Sequence, residues 1–258
     1  MSEPPQVKLV GILNVTPDSF SDGGKYLDPA NAIAHGRQLF ADGAALVDIG
    51  GESTSPYSSP LFADREWERL KPVLTVLVKE FPGRISIDTY HPQTARKALK
   101  MGVTFINDVT MFRDPEMVNL AAEYGSKARY IVTHLSLDAA SIADAHKRMP
   151  TKSVEDVKGE LLFKRQVLIY RGVPAENIIL DPGIGFGNVQ ELNPVLLSFA
   201  KEVPGIEVMI GYSRKRFLGN QRMEIEPNLQ AGKVAAAAGA TYLRVHDVAA
   251  HMALLGSS

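Results

Sequence analysis

Short apolar runs recur along this chain and alternate with longer segments in which apolar residues have a helical spacing. Eight runs have the length of β-strands and cover residues 7–13, 45–49, 84–87, 104–106, 128–133, 178–180, 207–210 and 242–245. The first helical segment opens at Asp28-Pro29 and stops near Gly43, and others cover residues 64–79, 92–101, 115–124 and 154–171. This alternation predicts parallel strands joined by crossover helices.

The number and character of the runs favour a closed barrel. Eight short, mostly apolar strands are typical of strands buried on both faces, so we predict a (β/α)₈ TIM barrel, with a doubly wound open sheet as the alternative. The 258 residues agree with the roughly 250 residues of such a barrel. We expect a single domain over residues 1–258, and the polar connection 135–153 is a candidate lid over its mouth.

Polar or charged residues follow nearly every predicted strand. In a barrel these positions share one rim, and a ring of polar groups in an apolar context indicates a surface that faces a ligand. The residues are Asn14, Asp48, Asp88, Asn107 with Asp108, His134, Asp181, Ser213 with Lys215, and Arg244 with His246.

Taken alone, several of these residues have a purely structural interpretation. Asp48, Asp88 and Asp181 could cap the helices that follow them, because aspartate is a common helix N-cap. Asp108 has the same alternative, and Asp48 could also brace the glycine turn at 50–51. We therefore leave Asp48 and Asp108 out of the candidate catalytic set, and we interpret His134 as a core histidine.

Composition and charge exclude several classes of function. The chain has 28 basic and 29 acidic residues, so its charge does not indicate binding to nucleic acid or to an anionic membrane. No apolar run approaches the roughly 20 residues that a membrane-spanning helix requires. The absence of cysteine excludes a thiol nucleophile and thiolate metal ligands, and it fits a reducing compartment. We expect a cytoplasmic protein with small-molecule partners.

Two basic segments indicate an anionic ligand. Residues 213–216 and 244–246 follow the seventh and eighth predicted strands, where barrels of this class often hold a phosphate. A solvated basic surface is the alternative, in which Arg214 points outward to acidic neighbours. The glycines at 183, 185 and 187 match no nucleotide-binding fingerprint, and turn formation is their simpler explanation.

Residues 11–24 (GILNVTPDSFSDGG) resemble the opening signature of the dihydropteroate synthase family. The family's other motifs follow in the same order, at residues 48–54, 86–89, 106–109, 181–187, 213–215 and 244–248. The resemblance covers essentially the whole chain. It implies a (β/α)₈ barrel that condenses 6-hydroxymethyl-7,8-dihydropterin diphosphate with para-aminobenzoate in folate synthesis, with Mg²⁺, and a tendency to form homodimers.

The resemblance also implies a role for individual residues. Those expected to bind the pterin are Asp88, Asn107, Asp181 and Lys215. Those expected to bind diphosphate are Asn14, Arg244 and His246, of which Asn14 is also the metal ligand. Those expected to form the aminobenzoate pocket are Phe20, Asp22, Thr54, Pro56 and Phe186. The residues expected to take part in catalysis are Lys215, Arg244, His246 and Asp88.

These residue types suit the expected chemistry. Carboxylates accept hydrogen bonds from the guanidine-like edge of a pterin, and Lys215 can reach the ring carbonyl. An aromatic amine is neutral and nucleophilic at pH 7, so no general base is obligatory. The main task is electrophilic assistance to the departing diphosphate, and we expect a dissociative substitution.

The sequence departs from the family pattern in the predicted aminobenzoate pocket and elsewhere. Ser55 stands where the family usually has arginine, and Arg216 stands where it usually has a small hydroxyl residue. Our hypothesis is that Arg216 recognises the aminobenzoate carboxylate and alters sulfonamide sensitivity; the alternative is an outward-facing arginine. In addition, Thr133-His134-Leu135 replaces Met-His-Met, and Asn188 replaces lysine.

Three other functions compete with the synthase. A pterin-binding paralogue with an altered second substrate, or with no turnover, would act as a sensor or scaffold. A folate-type methyltransferase would keep the pterin residues and would not need those for diphosphate. A Schiff-base aldolase would use Lys215 as its nucleophile. The joint presence of Asn14, Lys215, Arg244 and His246 favours the synthase.

Overall fold

The computed structural model of the protein describes residues 7–16, 28–52, 61–135, 153–186 and 190–255. Eight strands and eight α-helices alternate along these residues. The strands are β1 Lys8–Asn14, β2 Leu46–Gly50, β3 Ile85–Asp88, β4 Phe105–Asp108, β5 Arg129–Thr133, β6 Ile178–Asp181, β7 Met209–Gly211 and β8 Tyr242–Val245. The helices are α1 Pro29–Ala41, α2 Ala63–Glu80, α3 Pro92–Met101, α4 Pro115–Tyr124, α5 Val154–Tyr170, α6 Leu192–Leu196, α7 Ile225–Ala237 and α8 Val248–Leu255.

The strands close into a barrel. Each strand is parallel to its neighbours in the order β6-β5-β4-β3-β2-β1-β8-β7, and a parallel bridge between Leu180 and Val208 joins β6 to the start of β7. This bridge connects the two ends of the strand order, which an open sheet does not do. The predicted (β/α)₈ TIM barrel is confirmed, and the doubly wound alternative is wrong.

Helix caps explain why several helices start where the sequence predicts. Asp28 caps α1 through the backbone N–H of Ala30, with Pro29 at the first helical position. Ser153 and Asp156 form a capping box at the start of α5. Helix α4 is capped by Asp114, so the alternative role of Asp108 as its cap is wrong.

The apolar core of the described residues has two main parts, and Val109, Leu135 and Phe186 form a third, small cluster. The larger part lies between the strands and the surrounding helices. The smaller part is a cluster within the strand ring, and we call it the floor layer: Val10, Leu46, Ile131, Ile179, Met209 and Tyr242, with Phe105 packed against it. The floor layer closes the amino-terminal end of the barrel and leaves the carboxyl end for polar groups.

No helix among the described residues is long and apolar enough to cross a membrane. The candidate lid at 135–153 falls outside the described residues, apart from its two ends.

Candidate active site

The polar residues of the site lie one step above the floor layer. Residues two apart on a strand face the same side, so each floor residue places the residue two positions later inside the barrel. This step gives the polar layer: Asp48 after Leu46, Asn107 after Phe105, Thr133 after Ile131, Asp181 after Ile179, and Arg244 after Tyr242. On these five strands the interior of the barrel therefore changes from apolar to polar within one residue pair.

Arg244 crosses the interior and joins two carboxylates. Its Nε donates to Asp48 Oδ2 at 2.7 Å, and its Nη2 donates to Asp88 Oδ2 at 2.8 Å. Asp48 is fully buried, and Arg244 is mostly buried. Buried charges are tolerated when they are paired and hydrogen-bonded, so this triad accounts for the position of all three side chains.

Asn107 is held on both sides of its amide. Its Nδ2 donates to Asp48 Oδ2 at 2.9 Å, and its Oδ1 accepts from Thr133 Oγ1 at 3.1 Å. All three side chains are buried. Asp48 is thus the residue that connects β2, β4 and β8 across the barrel.

The two remaining carboxylates of the site have unusual acidities. Burial raises the pKa of Asp88 to about 7, against the opposing effect of Arg244. Burial also raises the pKa of Asp181 to about 6, although its Oδ1 accepts from the Gly183 backbone N–H at 2.8 Å. Carboxyl groups with pKa values raised by burial, inside a cavity and next to specific charged partners, are typical of functional sites.

Lys215 faces this layer from the turn after β7. Its Nζ lies 4.2 Å from the centroid of the Phe186 ring, a cation–π distance. Its stem passes close to Gly185, where an added Cβ would lie 3.2 Å from Lys215 Cδ. Burial, together with the positive charge of Arg244, lowers the pKa of Lys215 to about 8, while Asp181 and Asp88 act in the opposite direction.

A second polar group of residues lies at the ends of β7 and β8. Ser213 Oγ lies 2.9 Å from His246 Nδ1 and accepts from the His246 backbone N–H at 3.3 Å. Burial, with the positive charge of Arg214 next in importance, lowers the pKa of His246 well below its usual value. His246 is therefore neutral at pH 7 in a strongly electropositive pocket, which we call the anion pocket: Ser213, Arg214 and His246.

Arg214 belongs to this pocket, so the alternative in which it points outward is wrong. Its Nη1 is buried and has no hydrogen-bond partner among the residues that the structure describes. Its backbone adopts a φ of 60°, and its N–H donates to Asn228 Oδ1 at 2.8 Å, which fixes the turn. An unpartnered buried guanidinium nitrogen is costly in the free protein, so it is available to an anion.

Asn14 ends β1, the strand that pairs with β8 on one side and β2 on the other. A Cβ added at Gly50 would lie 3.6 Å from Asn14 Oδ1 and 3.6 Å from Asp88 Cβ. The absence of a side chain at Gly50 thus leaves Asn14 and Asp88 facing each other across open space.

The structure brings together most of the residues that the sequence singles out. Asp88, Asn107, Asp181, Lys215 and Arg244 share the interior, Phe186 lies over Lys215, and Asn14 and His246 lie at the rim. Arg216 is exposed in the short turn Arg216–Leu218. The other pocket residues lie outside the described residues: Phe20, Asp22, Thr54, Ser55 and Pro56, together with Asn188.

The capping alternatives for the three strand-end aspartates are wrong. The N-cap of α2 is Phe62 and that of α3 is His91, so neither Asp48 nor Asp88 caps the next helix. Asp181 accepts from the Gly183 N–H in the turn before α6, whose N-cap is Glu191. Asp48 does not brace the glycine turn with its side chain; it binds Asn107 and Arg244 inside the site.

His134 is buried, as expected of a core histidine. Its Nε2 lies 3.1 Å from Glu160 Oε2 on α5, away from the polar layer.

Comparison with known proteins connects this site to a family. The family model described as pterin binding enzyme matches residues 10–246. The dihydropteroate synthase of Bacillus subtilis (strain 168) is 35% identical over 249 residues, which are 93% of this chain and 83% of that protein. The chain belongs to the dihydropteroate synthase family. A further member, from Streptococcus pyogenes serotype M3, is 38% identical over 253 residues, with 94% of this chain and 91% of that protein covered.

Solved structures of the family share the fold. The dihydropteroate synthase of Yersinia pestis, in complex with a sulfonamide drug, superposes with a TM-score of 0.88 at 28% identity and covers 99% of this chain and 93% of its own. That of Xanthomonas albilineans with 4-aminobenzoic acid gives 0.82 at 35% identity, covering 98% and 92%. That of Anaplasma phagocytophilum with bound 6-hydroxymethylpterin-monophosphate gives 0.82 at 31% identity, covering 98% of both chains.

Proposed function

We propose that this chain is a dihydropteroate synthase, which joins 6-hydroxymethyl-7,8-dihydropterin diphosphate to para-aminobenzoate and releases diphosphate and 7,8-dihydropteroate. One observation carries the proposal: a buried layer of carboxylates and one amide lies next to an electropositive anion pocket in the same barrel mouth. The family relationship supports it, since relatives of this similarity carry that name.

The pterin ring is placed in the polar layer. Its guanidine-like edge offers N–H donors, and Asp88 and Asp181 are carboxylates that can accept them. Asn107 offers one donor and one acceptor, and protonated Lys215 can donate to the ring carbonyl. Hydrogen bonds to charged groups contribute roughly 1.5–3 kcal/mol each, enough to fix the ring in one orientation.

The diphosphate is placed in the anion pocket, at the ends of β7 and β8. Arg214 offers its unpartnered Nη1, and neutral His246 offers a ring N–H to a phosphate oxygen. Arg244 lies between the two regions, because its guanidinium is bonded to Asp88 and its positive charge reaches His246. It is therefore positioned near the methylene carbon that links ring and diphosphate.

The reaction needs little proton transfer. The amine nitrogen of aminobenzoate attacks the methylene carbon, the bond from that carbon to the diphosphate oxygen breaks, and the amine proton leaves to solvent. Positive charge from Arg214, Lys215 and Arg244 stabilises the negative charge that grows on the departing oxygen. The carboxylates beside the ring stabilise the positive charge that develops on the pterin, which favours a dissociative substitution.

The residues at the rim fit Mg²⁺ as a partner of the diphosphate. Asn14 presents an oxygen beside the open space over Gly50, and Mg²⁺ prefers oxygen ligands. Among the described residues, no group of three or more His, Asp or Glu side chains could hold a metal alone. Asn14 would therefore share the ion with diphosphate oxygens and water. Bound Mg²⁺ supplies charge neutralisation on the leaving group.

The protein is further proposed to act in the cytoplasm as a single-domain homodimer. The lack of cysteine supports a reducing compartment. Exposed apolar side chains on the last two helices, Ile225, Val234 and Met252, support a protein interface there. Light scattering of the purified protein measures the dimer directly.

The decisive experiment follows diphosphate release from purified protein with Mg²⁺ and the dihydropterin diphosphate, with and without para-aminobenzoate. Release should depend on aminobenzoate. It should fall about 30-fold or more in Lys215→Ala and in Arg244→Ala, which corresponds to about 2 kcal/mol of lost charge-assisted stabilisation. Arg65→Ala, on an exposed arginine of α2, is the matched control and should leave release unchanged.

Two outcomes would contradict the proposal. A folded wild-type protein that binds the pterin without releasing diphosphate would be a sensor, a scaffold or an enzyme for another second substrate. Equal release with and without aminobenzoate would show that water, not the amine, is the acceptor.

A further inference from the structure

We propose that Asp48 and Thr133 are positioning residues, which hold the side-chain amide of Asn107 in one orientation so that a pterin meets one fixed donor and one fixed acceptor. The inference rests on the proposed function, because it concerns how the same site reads its substrate. Neither residue needs to contact the substrate itself.

Asp48 determines which atom of Asn107 faces it. Arg244 Nε donates to Asp48 Oδ2 at 2.7 Å in a buried salt bridge, so this oxygen acts as an acceptor. The amide atom of Asn107 that lies 2.9 Å from the same oxygen is therefore the nitrogen, which donates. In the reversed orientation the Asn107 oxygen would face a carboxylate oxygen at that distance, and both atoms would be buried acceptors.

Thr133 completes the arrangement from the neighbouring strand. Its hydroxyl donates to Asn107 Oδ1 at 3.1 Å, so the oxygen that is turned away from Asp48 also has a partner. Thr133 is buried, and a β-branched side chain has few rotamers, so this donor stays in place. The amide of Asn107 is thus fixed before any ligand arrives.

The capacity that remains on Asn107 defines what it can recognise. One Nδ2 hydrogen is used by Asp48 and one Oδ1 lone pair by Thr133, which leaves one donor and one acceptor. Asp88 lies in register beside Asn107 on β3 and adds an acceptor next to this pair. The site therefore presents hydrogen-bond donors and acceptors in a fixed order. It discriminates between ligand rings whose edges carry donors and acceptors in different orders.

Thr133→Val tests the inference, because it removes the hydroxyl and keeps the branched shape. The measurement is the dissociation constant of the dihydropterin diphosphate without aminobenzoate, obtained by calorimetry. We expect Thr133→Val to bind about 5-fold more weakly, the loss typical of one neutral hydrogen bond, and Thr133→Ser to bind within about 2-fold of wild type. The KM of aminobenzoate should stay unchanged in both.

Two further variants separate positioning from general damage. Thr94→Val removes a buried hydroxyl that donates to the Ala63 carbonyl on α2, outside the site, and should leave pterin binding unchanged. Asp48→Asn removes the acceptor-only group and should weaken binding more than Thr133→Val does. Thermal unfolding identifies any variant that fails to fold. If Asp48→Asn fails to fold, the near-isosteric Thr133→Val alone decides the test.

Failure of this inference differs from failure of the proposed function. If wild-type protein turns over but Thr133→Val binds the pterin like wild type, or if Thr133→Ser loses as much as Thr133→Val, the positioning role is wrong and the synthase stands. If wild-type protein binds the pterin without turnover, the binding series still decides the positioning role.

Discussion

The affinity of the protein for its pterin substrate should increase with pH across the acidic range. Asp181 and Asp88 have pKa values of about 6 and about 7, because both carboxyl groups are buried. The guanidine-like edge of a pterin donates hydrogen bonds, so it binds the ionised carboxylates and disfavours their protonated forms. Ligand binding should therefore lower both pKa values and release protons.

The size of the effect follows from the two acidities. At pH 5 a carboxyl group with a pKa of about 7 is ionised to only about 1%, and one with a pKa of about 6 to about 10%. Affinity should therefore fall by up to roughly 10-fold per pH unit for each carboxylate the ligand requires. Above pH 8 it should fall again as Lys215, with a pKa of about 8, loses the proton that it donates.

The same pKa values predict the opposite trend for the stability of the free protein. Both carboxyl groups have folded-state pKa values above their ordinary values. At pH values between the ordinary pKa and the folded-state pKa, the folded protein therefore binds more protons than the unfolded chain. Their contribution to stability is complete below about pH 4 and is lost as the pH rises through 6 and 7. Ligand binding and stability should thus change in opposite directions over this range.

Calorimetry measures the binding effect directly. Titration of the dihydropterin diphosphate at pH 6, in two buffers with different ionisation enthalpies, gives the number of protons released. Asp181→Asn should reduce that number, whereas Asp64→Asn, on the exposed face of α2, should not. Constant affinity from pH 5 to 7 with no proton exchange would refute the reasoning, because the carboxylates would then be ionised already or would not contact the ring.

Two further predictions concern backbone strain and the second substrate. Gly183→Ala should lower the free energy of unfolding by clearly more than Gly172→Ala does. Both glycines have a positive φ, so both substitutions strain the backbone. An added Cβ at Gly183 would in addition lie 2.1 Å from the His134 carbonyl oxygen, whereas one at Gly172 would meet open space. Denaturant unfolding measures the free energy of unfolding of both variants. Equal losses of stability would show that the close contact at Gly183 is relieved without cost. Arg216→Ser should raise the KM of para-aminobenzoate about 5-fold or more and leave the KM of the pterin substrate unchanged, if the exposed Arg216 pairs with the carboxylate. Unchanged Michaelis constants, or an unchanged response to sulfonamides, would identify it as a solvent-facing side chain.

The strands and helices could be predicted from the sequence because their boundaries have local causes. Strand β1 was predicted at residues 7–13 and is observed at Lys8–Asn14, and helix α1 begins at Pro29 after its Asp28 cap. These signals depend only on neighbouring residues. Barrel closure is different, since it depends on the pairing of β1 with β8, whose residues are more than 200 positions apart.

The inward or outward direction of strand residues could not be predicted. Both faces of a barrel strand are buried, so β2 shows no alternation of apolar and polar residues that would distinguish Asp48 from its neighbours. Only the floor layer reveals that Leu46 and Asp48 face inward together. Arg214 was missed for a similar reason, because its inward direction depends on a left-handed backbone turn held by Asn228.

In the proposed function, the charges of the site also account for the orientation in which the substrate binds. The polar layer and the residues that face it hold three carboxylates, on Asp48, Asp88 and Asp181, against two cations, on Lys215 and Arg244. Its excess of acceptors matches the donor edge of a pterin. The anion pocket holds Arg214 and a neutral histidine and has no carboxylate among its members. In the proposed function, a ligand bound in reverse would place diphosphate against buried carboxylates, and the repulsion between like charges disfavours that orientation. We therefore propose that charge orders the bound substrate, with the ring inward, the diphosphate at the rim, and the reacting carbon between them beside Arg244.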